Sequence, residues 1–303
     1  MQITATNVHK SYGTVTALDG LSLEIPAGTT FGVLGTNGAG KTTLFKLLVG
    51  HDTPDSGQLS VGEYDVSTAG VKLREHVGYL PERIGFPGAL TGREVLSFHA
   101  RMRDLSRDGR IGRALETVGL SEDDADRPVE GYSNGMRRRL GLAAAILPEP
   151  SVLVLDEPTA GLDPRGVTEF HEIVTRIRSQ TDATVVVTSH VLSEIERLCD
   201  RVAILHDGTL RETGPVSDLV TSDATVVELR PADPDEVDTL ASLAGEIGTV
   251  SRSGEGVRVR CDTDDVPTLF ATLETGPALA ATDVQSTGLE GAFHEAIETE
   301  VNV

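Results

Sequence analysis

The sequence predicts an α/β protein built on a mainly parallel sheet, followed by a small α+β unit. Short β-rich runs at residues 30–34, 152–155, 184–187 and 202–205 read as strands. The first three are each followed by a polar or glycine-containing loop that opens into a helical pattern. Strands separated by helices imply parallel pairing with both faces covered. Charge then divides the chain: residues 1–220 carry 22 basic and 30 acidic side chains, and residues 221–303 carry 4 and 17. The shift follows a stretch at 208–215 that reads as turn-rich, which sets the expected domains at 1–220 and 221–303.

Taken in order, residues 2–24 read as short strands around a turn at 11–14, a small antiparallel sheet ahead of the parallel one. In the last 83 residues, strands are expected at 225–229, 248–253, 256–260 and 282–285. Helices are expected near 234–244, 265–274 and 289–298, with a hairpin turn at Gly254-Glu255. A strand–helix–strand–strand–helix–strand order gives a ferredoxin-like sheet.

Composition narrows the function classes. With 303 residues the chain can bury one large core and a smaller one. Cys199 and Cys261 stand far apart, outside any CxxC or Cys/His pairing, so no disulfide framework or zinc site is expected. No run of about 18 apolar residues suggests a membrane-spanning helix, and the opening MQITATNVHK lacks a signal-peptide core, so a cytoplasmic location is expected. The net charge is −21, with four lysines against 22 arginines. So acidic a surface speaks against a nucleic-acid partner. It fits adaptation to high salt, where ions screen self-repulsion.

The chemistry is concentrated in three places. Gly35-Thr36-Asn37-Gly38-Ala39-Gly40-Lys41-Thr42 is a complete GxxxxGK[ST] phosphate loop between a strand and a helix, with Thr43 next in line. Its glycines let successive N–H groups turn toward phosphate oxygens, and the helix end adds a positive dipole. Lys41 is placed to reach the β- and γ-phosphates, and the Thr42 hydroxyl to bind Mg²⁺. The second place is Val152-Leu153-Val154-Leu155-Asp156-Glu157, a buried strand delivering two carboxylates to the sheet edge. Asp156 is expected to hold Mg²⁺, and Glu157 to polarise the attacking water.

The third segment decides the class. Tyr132-Ser133-Asn134-Gly135-Met136, opening a helix just before that strand, resembles the signature motif of ABC ATPases, usually written LSGGQ. Ser133 and Gly135 are kept, while Tyr132, Asn134 and Met136 depart from it. Other family marks fall in order. Tyr12 resembles the aromatic that stacks on adenine, although a turn tyrosine is the plainer reading in isolation. Residues Ala160-Gly161-Leu162-Asp163-Pro164 resemble the D-loop, and His190 resembles the switch histidine. Glu82, in Tyr79-Leu80-Pro81-Glu82, stands where the family carries a metal-binding glutamine.

The resemblance covers the first 220 residues and implies an ATP-hydrolysing subunit using ATP and Mg²⁺. It implies a homodimer in which Ser133 and Gly135 face the γ-phosphate bound by the other copy. It also implies a separate integral-membrane permease, meeting the chain at residues 84–103. The Tyr-Leu-Pro-Glu and Tyr-Ser-x-Gly-Met-Arg variants look like the two-component ABC-2-type subfamily with an extra C-terminal domain, which supports the dimer or regulates it. The stretch 77–103 looks most like the ATPase of the Nos-type system, which supports copper-site maturation. Two alternatives are a soluble ABC ATPase of translation or DNA repair and a regulatory module without hydrolysis. The single cassette and the intact Asp156-Glu157 pair weigh against them.

Overall fold

The computed structural model describes residues 1–105, 109–220, 224–253, 256–274, 276–286 and 288–298. The chain divides into two compact units, Met1–Val216 and Ser217–Val303.

The first unit begins with a one-sided antiparallel sheet. Strands β1 (Ile3–Tyr12) and β2 (Val15–Ile25) alternate buried and open residues, as a sheet with one wet face must. After β3 (Thr30–Gly35), β4 (Ser56–Val61) pairs with β1, and β5 (Tyr64–Asp65) pairs with β4. The second sheet combines β3 with β6 (Val77–Leu80), β7 (Val152–Asp156), β8 (Thr184–Thr188), β9 (Arg201–His206) and β10 (Thr209–Pro215), in the order β10-β9-β3-β8-β7-β6. Strands β7 and β8 are buried throughout, as expected of strands covered on both faces.

The stretch at 208–215 corrects the sequence reading. Apart from Gly208 it is strand β10, antiparallel to β9. It lies at the sheet edge, where Gly214 and the terminal Pro215 are tolerated because no further strand needs their ladder bonds.

Among the described residues this unit also holds eight α-helices: α1 (Lys41–Leu48), α2 (Gly70–His76), α3 (Gly92–Met102), α4 (Arg110–Val118), α5 (Glu122–Ala125), α6 (Asn134–Ile146), α7 (Pro164–Gln180) and α8 (Leu192–Leu198). Helix α1 buries Leu44, Phe45, Leu47 and Leu48 in the core shared by the two sheets. Capping decides several starts. Thr91 and Glu94 form a reciprocal capping box on α3. The Ser133 side chain accepts from Met136 N–H to start α6. Asp163 caps α7, with Pro164 preset at its first turn.

After α9 (Val216–Val220), the second unit runs β11 (Ala224–Pro231), α10 (Val237–Ala244), β12 (Thr249–Ser253), β13 (Gly256–Asp262), α11 (Val266–Leu273), β14 (Leu279–Ser286) and α12 (Gly288–Glu298). Its sheet order is β12-β13-β11-β14 with every pair antiparallel, the ferredoxin-like arrangement. Val227, Leu229, Leu240, Val257, Val259 and Leu269 make its core. The expected turn at Gly254-Glu255 lies outside the described residues, as does residue 221. Cys199 and Cys261 are buried and unbridged.

Candidate active site

Sheet order brings the functional segments together. Strands β3, β8, β7 and β6 are consecutive neighbours and parallel. Their C-terminal ends therefore open on one edge, where α/β sheets bind ligands. That edge receives the phosphate loop from β3, Ser189-His190 from β8, Asp156-Glu157 from β7 and Pro81-Glu82 from β6. A cavity of about 350 Å³ forms there, lined by Asn37, Gly38, Ala39, Gly40, Lys41, Thr42, Thr43, Glu82, Asp156 and Glu157, with Val15 and Ala17.

The phosphate loop depends on glycine at its last bend. Gly40 has φ +100°, and a Cβ there would lie 2.5 Å from the Ala17 carbonyl oxygen. No side chain caps α1, and its first residues Lys41, Thr42 and Thr43 line the cavity. The Lys41 ammonium donates to the carbonyls of Gly35 (2.6 Å) and Thr36 (3.0 Å), folded back along the loop. Burial lowers its pKa, against the opposing pull of Glu157 and Asp156.

Register fixes the two carboxylates. Asp156 lies opposite Thr188 in the β7–β8 ladder. The Thr188 hydroxyl donates to Asp156 Oδ1 at 3.0 Å and accepts from the Glu157 N–H at 3.0 Å. Tyr79 of β6 donates to Asp156 Oδ2 at 3.3 Å. Burial raises the pKa of Asp156, and these two hydrogen bonds oppose the rise. Glu157 has φ +45°, an unusual conformation for a non-glycine residue. Its Oε2 is 2.7 Å from His190 Nδ1 and accepts from the His190 N–H at 3.3 Å. Thr42 and Glu82 are exposed on the cavity wall.

Tyr12 stands beside the loop, held by its hydroxyl donating to Asp52 Oδ2 at 2.8 Å. Lys10 Nζ and Lys46 Nζ approach its ring centroid at 5.4 and 5.9 Å. The hydrogen bond from Lys10 is the main cause that lowers the Asp52 pKa to about 2.

Ser133 and Gly135 are not in this cavity. They line a separate cleft of about 470 Å³ with Gly161, Leu162 and Asp163. Sequence reading missed Thr188, Tyr79 and Asp52 as supports of the site. Only Thr188 carried a hint, standing two residues before His190 at a strand end.

Comparison with known proteins identifies the family. The family model described as "ABC transporter" matches residues 18–160. A linearmycin resistance ATP-binding protein of Bacillus subtilis is 37% identical over 218 residues, covering 71% of this chain and 70% of that protein. The Nod factor export ATP-binding protein I of Burkholderia orbicola is 36% identical over 282 residues, 90% of each chain. Among solved structures, cbiO1 of Clostridium perfringens, part of the ABC transporter complex cbiONQ, superposes with a TM-score of 0.66 at 30% identity. It covers 73% of this chain and 90% of that one. The chain belongs to the ABC transporter family: it is an ABC-type ATPase, the ATP-binding subunit of a transporter.

Proposed function

We propose that the chain hydrolyses Mg·ATP at the phosphate-loop cavity to drive a separate permease that exports its substrate. The observation that carries this reading is the convergence of four adjacent parallel strands on one cavity edge, with Lys41, Glu82, Asp156 and Glu157 on its wall. In this scheme Tyr12 receives the adenine, and the 35–43 loop holds the phosphates, with Lys41 leaving the carbonyls of Gly35 and Thr36 to do so. Thr42, Glu82 and Asp156 offer only oxygen ligands, the donor set Mg²⁺ takes when phosphates supply the remainder. Bound there, the ion neutralises charge developing on the phosphates. Glu157 aligns the attacking water, and His190 holds the Glu157 carboxylate in place.

Two copies pair head to tail, so that the cleft at Ser133, Gly135 and the D-loop closes over the partner's ATP. The separation of that cleft from the cavity within one chain supports this pairing. A second groove of about 530 Å³ is the proposed permease contact. It is lined by Tyr79, Ile84, Phe86, Leu90, Val95 and Phe98, among others. Phe98 is 50% exposed, and Met102 on the same helix 71%, more apolar surface than α3 needs for its own packing. No helix among the described residues is long and apolar enough to cross a membrane, which leaves that task to the permease. The name of the Nod factor export relative supports outward transport. The C-terminal unit is assigned to dimer support or regulation.

The test pairs two variants. Lys41→Ala is expected to lose nucleotide binding. Phe98→Glu combined with Met102→Glu is expected to lose retention on membranes carrying the permease. Full retention of the double variant sinks the docking assignment, and undiminished ATP binding by Lys41→Ala sinks the nucleotide site.

A further inference from the structure

Three successive arginines, Arg137, Arg138 and Arg139, open the second turn of α6. At 100° per residue a helix must send them in three directions. Arg137 donates to the Glu130 carbonyl at 3.3 Å, and Arg139 donates to the Gly119 carbonyl at 3.1 Å and pairs with Glu169. Arg138 turns inward and is only 8% exposed. A guanidinium keeps its charge when buried, so its placement needs compensation.

Its hydrogen-bond partners are two backbone carbonyls on different loops. Nη1 donates to Pro81 O at 3.0 Å, and Nη2 donates to Ala160 O at 3.4 Å. Pro81 precedes Glu82, and Ala160 follows Glu157 by three residues. Neither carbonyl carries a charge. The loops that accept these bonds carry Glu82 and Glu157, which share the phosphate cavity with Asp156. Burial lowers the Arg138 pKa and these carboxylates raise it. Lys41 lines the cavity itself, whereas Arg138 is not among its lining residues.

We propose that Arg138 is a positioning residue for ATP hydrolysis, which fastens the Glu82 and D-loops to the signature helix and supplies the fixed positive charge that lets three carboxylates stand around one phosphate site. Its planar fork suits both tasks, because two N–H groups are spent on the carbonyls while the charge remains. A shift of α6 is thereby carried to the loop bearing Glu82 and to the loop following Glu157. The inference rests on the ATP-site reading of the cavity.

The test compares the parent chain with Arg138→Gln, Arg138→Lys, Glu82→Gln and the double variant Glu82→Gln/Arg138→Gln. Hydrolysis rates, binding of a fluorescent ATP analogue without metal, and melting temperature are measured on the full chain. Misplacing the loops in Arg138→Gln is expected to cut kcat about tenfold or more, with a smaller change in KM. Its metal-free nucleotide binding weakens severalfold and recovers in the double variant, where one carboxylate charge has also gone. Arg138→Lys keeps the binding, because the charge stays, and loses kcat, because an ammonium cannot span both carbonyls. Parental kcat in Arg138→Lys overturns the fastening role, and this holds even where Arg138→Gln fails to fold. Absence of recovery in the double variant overturns the charge role. A parent chain that binds no nucleotide overturns the ATP-site reading instead, a result distinct from either.

Discussion

His190 Nδ1 lies 2.7 Å from Glu157 Oε2, and the backbone N–H of His190 donates to the same oxygen. Glu157, the residue proposed to align the water, is thus held from the neighbouring strand end. Replacing His190 by Ala removes the imidazole but leaves the backbone bond. Hydrolysis should fall about a hundredfold, within the range for loss of an oriented acid–base group, while nucleotide binding changes little. Steady-state kinetics beside equilibrium ATP binding check the split, and equal losses in both would point to a binding role.

Thr188 serves both carboxylate residues, donating to Asp156 Oδ1 and accepting from the Glu157 N–H. Thr188→Val keeps the shape of this fully buried side chain and removes both bonds. Leaving these groups unpartnered should cost about 1–3 kcal/mol of stability, read from the denaturant midpoint, together with a loss of kcat. Unchanged stability would mean that water replaces the hydroxyl.

Glu82 places a third carboxylate beside Asp156 and Glu157. Glu82→Gln removes one negative charge from the phosphate site, so ATP without metal should bind more tightly and the Mg²⁺ concentration needed for half-maximal hydrolysis should shift. An identical Mg²⁺ titration for variant and parent contradicts the assignment of Glu82 to the metal.

Asp52 ties down Tyr12 and is held near a pKa of about 2, chiefly by its hydrogen bond with Lys10. A carboxyl whose folded pKa lies below its ordinary 3.8 contributes stability that is present above that value and lost as pH falls toward 2. Asp52→Asn should therefore flatten the acid limb of the melting-temperature profile between those values, and raise the KM for ATP by loosening Tyr12. An unaltered acid limb would show that the pairing with Lys10 contributes nothing to folding.

The parallel strands were legible because strands covered on both faces need an apolar run, as 152–155 and 185–187 supply. The phosphate loop was legible because its glycines and lysine answer to local geometry. Strands Ser56–Val61 and Thr209–Pro215 were not. Their polar and glycine residues pair because partners lie alongside, and no local pattern announces that. The supports of the site were hidden for the same reason. Thr188 acts through its register with Asp156, and Arg138 through carbonyls 57 and 22 residues away. Periodicity gives the face of a helix but not what lies across from it.

The head-to-tail pairing around ATP is tested by the oligomeric state of Glu157→Gln with ATP. This variant retains the phosphate loop, Ser133 and Gly135 but lacks the carboxylate proposed to align the water. ATP, acting as glue between two cavities, is expected to shift it from monomer to a stable dimer holding two nucleotides, as read by light scattering after gel filtration. A variant that binds ATP with parental affinity yet stays monomeric at every protein concentration would contradict it.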